Sequence, residues 1–187
     1  MYFVVDSSYS VPFLHFQSVK HFLKLVTRHL SIDDNYGFKV GLIDFGGRAT
    51  GNRLMPLSKW KSGIDLENSI DSMYYFGNEG NLTNAIGRLV QNQVFSIKDG
   101  HRLGALPVVV LISSSPYEDS LLMEQKLSKL KALNYRMFFL LIKFPDVKKI
   151  ELTSIADGGF IDIHFLPHWD HLSDNVNLLL DYLTSVL

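Results

Sequence analysis

The segment Tyr2-Phe3-Val4-Val5-Asp6-Ser7-Ser8-Tyr9-Ser10-Val11-Pro12 predicts a strand, a loop and the start of a helix. An apolar run leads into Asp6, and a hydroxyl-rich turn precedes an apolar pattern of helical period. In a parallel sheet covered on both faces, ligands bind at the carboxyl ends of the strands. Asp6, Ser8 and Ser10, spaced by two, can therefore direct one carboxylate and two hydroxyls toward a common point. Such hard oxygen ligands suit Mg²⁺ better than zinc.

Ser10 also has a purely structural interpretation. It stands before Val11-Pro12 and is a good N-cap residue for the following helix, while Asp6 to Ser8 can be ordinary turn residues. Both interpretations stay open on this segment alone, because short motifs produce many false matches.

Length and composition predict one globular domain. The 187 residues are 47% hydrophobic and 20% charged, with a formal net charge of −1, so no basic field suggests nucleic acid or an anionic membrane. Apolar runs such as 108–112 are far shorter than the ~20 residues that a membrane helix needs. The absence of cysteine removes disulfides, thiolate chemistry and Cys-type zinc sites. We expect residues 1–187 to be a single domain that can belong to a longer chain, because Met1 stands directly at the first strand.

Strand and helix patterns alternate along the chain. Apolar positions at intervals of three and four predict helices at about 12–30, 64–73, 81–94, 122–133, 149–156 and 171–187. Apolar runs predict strands at 38–45, 108–112, 137–142 and 160–165, and the polar stretch 48–58 predicts a short hairpin or edge strand. This order predicts an α/β fold with a doubly wound (Rossmann-like), mostly parallel sheet flanked by helices.

The familiar signatures of nucleotide binding and hydrolysis are missing. The sequence contains no G-x-x-x-x-G-K-[ST], no G-x-G-x-x-G after the first strand and no G-x-S-x-G. Serines and histidines are present, but no pattern arranges them as nucleophile and base. We therefore expect a protein that is not an enzyme.

A second loop supplies another hydroxyl. Thr83 lies in Gly80-Asn81-Leu82-Thr83-Asn84, where it or Asn81 can cap a helix and where its side chain can reach a metal held by the first loop. With the other segments, this loop makes the chain resemble the von Willebrand factor A domain, also called the I domain in integrins. The resemblance covers nearly the whole chain and rests on D-x-S-x-S at 6–10, the strand at 39–45, G-x-L-T-N at 80–84, the Val-rich strand at 108–112, Leu152-Thr153-Ser154-Ile155-Ala156 and the last amphipathic helix.

The resemblance implies a metal-ion-dependent adhesion site for Mg²⁺ or Mn²⁺. Asp6, Ser8, Ser10 and Thr83 match the family pattern, but Ser114 stands where the family has a second aspartate. Fewer carboxylates weaken a hard-cation site. A serine hydroxyl or water can fill the position, and Glu118 or Asp119 follows shortly after. The larger residual charge of a bound ion would pull a partner's carboxylate more strongly.

The family resemblance further implies a protein-binding adhesion module of a secreted, extracellular matrix protein, with collagen or another matrix protein as ligand and no membrane insertion. The nearest resemblance is to the A domains of collagen VI and matrilins, although their terminal disulfide is missing here. One alternative is a structural matrix domain with a degenerate site that binds partners without metal. Another is an intracellular A domain that acts as an assembly scaffold, and a hydrolase ranks last. In any of these settings a longer chain can contain sister A domains.

Three other features favour structural interpretations. His164, His168, His171 and Asp170 resemble zinc ligands, but the last three fit a loop in which Asp170 caps the final helix. The lysines at 126, 129, 131, 148 and 149 fit a solvated surface, because the total charge is balanced. Asn81-Leu82-Thr83 is a glycosylation sequon, but a glycan there would crowd the proposed site. We therefore expect either that the sequon is unused or that the site does not serve a large partner.

Overall fold

Asp6 ends an interior strand of a six-stranded sheet. The computed structural model describes residues 1–33, 36–46, 53–91, 94–117, 119–156 and 159–186. The strands are β1 Tyr2–Asp6, β2 Gly41–Phe45, β3 Arg53–Met55, β4 Val108–Ser113, β5 Arg136–Ile142 and β6 Ile161–Leu166. Their order is β3-β2-β1-β4-β5-β6, and every pairing is parallel except that of β2 with β3. The predicted mostly parallel sheet is confirmed.

Helices cover both faces of this sheet. They are α1 Phe13–Arg28, α2 Gly63–Asp71, α3 Leu82–Gln91, α4 Ser120–Ala132, α5 Asp146–Ile155 and α6 Val176–Val186. Because side chains alternate along a strand, Phe3 and Val5 pack in one apolar cluster with α1, α2 and α6. Tyr2 and Val4 pack in the other cluster with α3, α4 and α5. Burial on both faces explains the continuous apolar runs of β1, β4 and β5.

The strand order reverses between β1 and β4. From β1 the chain proceeds outward to β2 and β3, and then returns to β4 on the other side of β1. In doubly wound sheets, the crevice at such a reversal is where ligands bind. The loops that follow Asp6 and Ser113 therefore meet at the crevice where doubly wound sheets bind ligands.

The structure corrects the predicted starts of two helices. Pro12 occupies the N-cap position of α1 with a ψ of 142°, so the helix begins at Phe13, and the interpretation of Ser10 as its N-cap is wrong. The last helix begins at Val176 instead of 171, because two 3-10 turns, Trp169–His171 and Ser173–Asn175, precede it. Asp170 lies inside the first of these turns and does not cap α6.

Boundaries of other elements also differ from the predicted ones. The second strand begins at Gly41, since Phe38 forms only an isolated bridge with Ile32. The predicted edge strand within 48–58 is confirmed as β3, while residues 47–52 lie outside the described part. The described part of helix α3 is Leu82–Gln91, and residues 92–93 of the predicted helix lie outside the described part. None of the helices in the described ranges has the length and apolar character needed to cross a bilayer.

Candidate functional site

The Asp6 carboxylate joins the two loops at the reversal point. The side chain is 1% exposed, and its Oδ1 accepts a hydrogen bond of 3.0 Å from the Ser8 backbone N–H. Its Oδ2 accepts three more, from Ser113 Oγ at 2.8 Å, Ser114 N–H at 3.2 Å and Ser115 N–H at 3.0 Å. A carboxylate offers about four lone-pair directions, two on each oxygen, so the remaining capacity for a ligand is on Oδ1.

Ser8 occupies the centre of the same cluster. Its Oγ lies 3.1 Å from Ser115 Oγ and accepts a hydrogen bond of 3.2 Å from the Ser10 backbone N–H. Gly80 packs directly over this pair, since a Cβ there would lie 2.2 Å from Ser115 Oγ and 2.6 Å from Ser8 Oγ. A side chain at position 80 would therefore fill the space beside both hydroxyls.

Thr83 supplies a buried hydroxyl without a hydrogen bond. The residue is 4% exposed, and its Oγ1 has no hydrogen-bond partner within the described part of the chain. Asn81 caps α3 instead, by accepting a hydrogen bond of 2.9 Å from Asn84 N–H at its side-chain oxygen, so Asn81 rather than Thr83 is the cap. An unsatisfied buried hydroxyl costs about 1–3 kcal/mol, so Thr83 Oγ1 is a candidate oxygen ligand whose role stays a prediction.

Ser114 lies beside the site, with its hydroxyl engaged. Ser114 Oγ donates to the Ser10 carbonyl at 2.7 Å, which ties the β4 loop to the first loop. Its role as a variant metal ligand stays a prediction. Asp119, suggested as a replacement carboxylate, accepts from Leu122 N–H at 3.0 Å and caps α4, and Glu118 lies outside the described residues.

The oxygen ligands of this site suit a hard divalent cation in type, but together they carry little negative charge. Asp6 Oδ1, the Ser8 and Ser10 hydroxyls and the orphaned Thr83 Oγ1 are all oxygen ligands, as Mg²⁺ or Mn²⁺ prefers. Asp6 is the one carboxylate among them. No group of three or more His, Cys, Asp and Glu side chains that could hold a metal occurs in the described ranges.

A polar network fixes the chain just beyond the β4 loop. Glu151 Oε2 accepts hydrogen bonds from Ser120 Oγ at 2.5 Å, Lys148 Nζ at 2.9 Å and the Tyr117 hydroxyl at 3.1 Å. These donors lower the pKa of Glu151 to about 2, the Ser120 hydrogen bond contributing most. Burial, and then the contact with Glu151, raises the pKa of Tyr117 to about 12. The network thus joins α5 to the segment that leaves Ser115.

The histidines do not form a common site. His164 Nε2 lies 3.0 Å from Asp162 Oδ1 on β6, while His171 Nδ1 lies 3.5 Å from Asp174 Oδ2 in the 3-10 turns before α6. Each imidazole therefore has its own acidic neighbour, in agreement with the structural interpretation of these residues.

Comparison with known proteins identifies the family. A family model described as the von Willebrand factor type A domain matches residues 1–175. The chain belongs to this family. This A domain is 26% identical over 163 residues to matrilin-1 of Gallus gallus, an alignment that covers 87% of the chain and 31% of that protein. The chain therefore spans under a third of the curated relatives that it matches.

Solved structures show the same fold. One of them is proximal thread matrix protein 1 of the mussel byssus, with a zinc-occupied MIDAS motif. Its TM-score is 0.79 at 21% sequence identity, and the match covers 96% of this chain and 46% of that protein's chain. The manganese-loaded TRAP protein of Plasmodium vivax has a TM-score of 0.62 at 14% identity over 92% of this chain and 69% of its own. Divalent cations are thus bound by proteins that share this A-domain fold.

Sequence reasoning found Asp6, Ser8, Ser10, Ser114 and Thr83 but missed Ser113 and Ser115. Ser113 Oγ donates to Asp6, and Ser115 Oγ lies within hydrogen-bond distance of Ser8 Oγ. Ser114 Oγ instead donates to the Ser10 carbonyl. The run of three serines was visible, but assigning their directions requires the register of β4 against β1.

Proposed function

We propose that this A domain is a protein-binding adhesion module of an extracellular, secreted matrix protein, with its binding site at the loops above β1 and β4. Its matrix relatives and its fold support this function, and collagen or another matrix protein is the ligand class by resemblance. Ser113 Oγ donates to the Asp6 carboxylate, Ser114 Oγ donates to a carbonyl, and Ser8 Oγ pairs with Ser115 Oγ. No imidazole accepts from these hydroxyls in the described part. This arrangement supports a binding role instead of hydrolysis.

The observation that carries a metal role is the orphaned hydroxyl of Thr83. Asp6, Ser8, Ser10 and Thr83 would hold Mg²⁺ or Mn²⁺ weakly, because one carboxylate neutralises only half of the ion's charge. When bound, the ion offers an electrophilic position for an acidic side chain of the partner. The chain's own contribution is to aim these oxygens and to bury Asp6 among four donors.

A Thr83→Val substitution tests the proposal, since valine has nearly the shape of threonine. Removing an unsatisfied buried hydroxyl should leave stability in EDTA unchanged or raise it by about 1 kcal/mol. With millimolar Mn²⁺, the wild-type melting temperature should rise, because a ligand that binds only the folded state stabilises it. The Thr83→Val protein should show no rise.

Thr153→Val is the matched control. Thr153 is exposed on α5, where its hydroxyl donates to a carbonyl of its own helix, so the metal response should persist. An equal Mn²⁺ shift in wild type and Thr83→Val would contradict a ligand role for Thr83. No Mn²⁺ shift in wild type would favour the second candidate, partner binding without metal.

That second candidate rests on a specific observation. All four hydrogen bonds to Asp6 come from the protein itself, and the three from the β4 loop hold the two loops together through protein groups. If the partner binds in EDTA with the same affinity as in Mg²⁺ buffer, the result supports this second candidate.

A further inference from the structure

Strand β6 is an open edge of the sheet. It pairs with β5 on one side, and all six of its residues are half-buried, whereas β4 is buried throughout. Edge strands are commonly protected by shortness, lysine or proline. The opposite edge strand, β3, has only three residues, but β6 is longer and contains neither lysine nor proline.

The outward side of β6 carries its own set of backbone groups. The Phe160 carbonyl accepts from Met137 on β5, and the Leu166 carbonyl accepts from Lys143 directly after β5, so the even-numbered residues point their N–H and C=O groups inward. The alternation along a strand then directs the groups of Ile161, Ile163 and Phe165 outward. In the described part of the chain, no hydrogen bond reaches those outward groups.

The outward groups are self-complementary in one antiparallel register. If Ile163 lies opposite Ile163 of a second copy, Ile161 lies opposite Phe165, and all three outward residues of each copy are hydrogen-bonded. Shifting the register by two leaves some of these groups unpaired. Pro167, which lacks an N–H, ends the ladder directly after β6.

The same register pairs opposite chemical groups. Asp162 lies opposite His164 of the second copy, and His164 lies opposite that copy's Asp162. These are non-hydrogen-bonded positions, where opposed side chains approach most closely. Both residues are partly exposed, with side-chain accessibilities of 45% and 26%. On the other face of the sheet, Ile161 lies opposite Phe165 of the second copy, and Ile163 lies opposite Ile163 of the second copy. Both are favourable cross-strand pairs.

We propose that β6 pairs antiparallel with β6 of a second copy of this chain, about a twofold axis at Ile163, to form a dimer with one continuous sheet. The proposal is separate from the metal site, since β4 and β5 stand between β6 and β1. The weak, symmetric contact suits a matrix component that gains avidity from paired domains.

The test is sedimentation velocity of the purified domain from about 1 µM to about 1 mM, a range that covers weak dimers. Wild type should shift from monomer to dimer with concentration. His164→Asp places like charges opposite each other twice, and should raise the dimer dissociation constant about tenfold or more. The double variant Asp162→His with His164→Asp restores both cross-strand pairs and should recover dimerisation.

Ile163→Pro and His171→Asp complete the set. Proline at 163 removes an outward N–H and spares the β5 ladder, so a protein with a native circular dichroism spectrum should stay monomeric. His171→Asp makes the same charge change off β6 and should leave the dimer intact. Wild type that stays monomeric throughout would overturn the proposal. A dimer that survives both Ile163→Pro and His164→Asp, or a double variant that fails to recover while folded, would also refute it.

Discussion

Asp6→Ala should destabilise the domain even when no metal is present. The substitution removes the acceptor for four hydrogen bonds and leaves Ser113 Oγ buried without it, while Ser115 N–H keeps Ser113 Oγ as a second acceptor at 2.9 Å. A hydrogen bond to a charged group is worth about 1.5–3 kcal/mol, but bonds that share one acceptor are not additive. We expect a loss of about 3–5 kcal/mol, because several donors of one buried hydrogen-bond network lose a charged acceptor at once.

The assay is urea unfolding in EDTA, followed by the fluorescence of Trp60 and Trp169. In a chain of this length the expected loss corresponds to a fall in melting temperature of about 6–20 °C. Asp71→Ala is the matched control, since this carboxylate forms an exposed ion pair with Lys24 and should cost under about 1 kcal/mol. If Asp6→Ala fails to fold, Asp6→Asn gives a milder version of the same loss.

Two outcomes would refute the reasoning about Asp6. A loss of less than about 1 kcal/mol in EDTA would mean that the four donors find other partners or water. A loss that appears only in Mn²⁺ buffer would mean that Asp6 matters through the metal and not through the hydrogen bonds.

Two further variants test the charge of the site and the network beside it. Ser114→Asp adds a carboxylate next to Asp6, and like-charge repulsion should lower the stability of this variant in EDTA. The added charge should tighten Mn²⁺ binding about tenfold, as measured by calorimetric titration. An unchanged Mn²⁺ affinity would contradict the inference that the missing carboxylate limits metal binding. Glu151→Gln should lower stability at pH 7. Because the folded pKa of Glu151 is lowered to about 2, its contribution is present above about pH 4.5 and is lost as the pH falls toward 2. Urea unfolding of both proteins across this range should therefore converge at low pH, and a constant difference would contradict the assignment.

The fold was predictable because its strands are buried on both faces. Such strands appear as continuous apolar runs, for example Val108–Ser113, and helices with one apolar stripe alternate with them. The order of the strands in the sheet did not follow from these patterns. It depends on which way each crossover returns, and neither the open edge at β6 nor the reversal between β1 and β4 can be read from local periodicity.

The site was predictable in its residue types and only partly in its contacts. Asp6, Ser8 and Thr83 were named from spacing and resemblance, but the hydrogen bonds that join Asp6 and Ser8 to the β4 loop depend on a register between strands more than 100 residues apart in sequence. Ser10 shows the same limit on a smaller scale. Its position before Val11 and Pro12 favours a helix N-cap, but the extended backbone at Pro12 makes α1 begin at Phe13.

The top loops are joined by more than the Asp6 carboxylate, which bears on what a metal can add. Tyr9 N–H donates to the Asn78 carbonyl at 2.9 Å, and Gly77 N–H donates to the Ser7 carbonyl at 2.9 Å. Together with the Ser8–Ser115 contact, these bonds link three chain segments through protein groups. We expect them to lower the cost of ordering the loops when a cation binds, which offsets part of the weakness caused by one carboxylate. Cation occupancy should then change partner affinity through charge and leave the shape of the site unaltered.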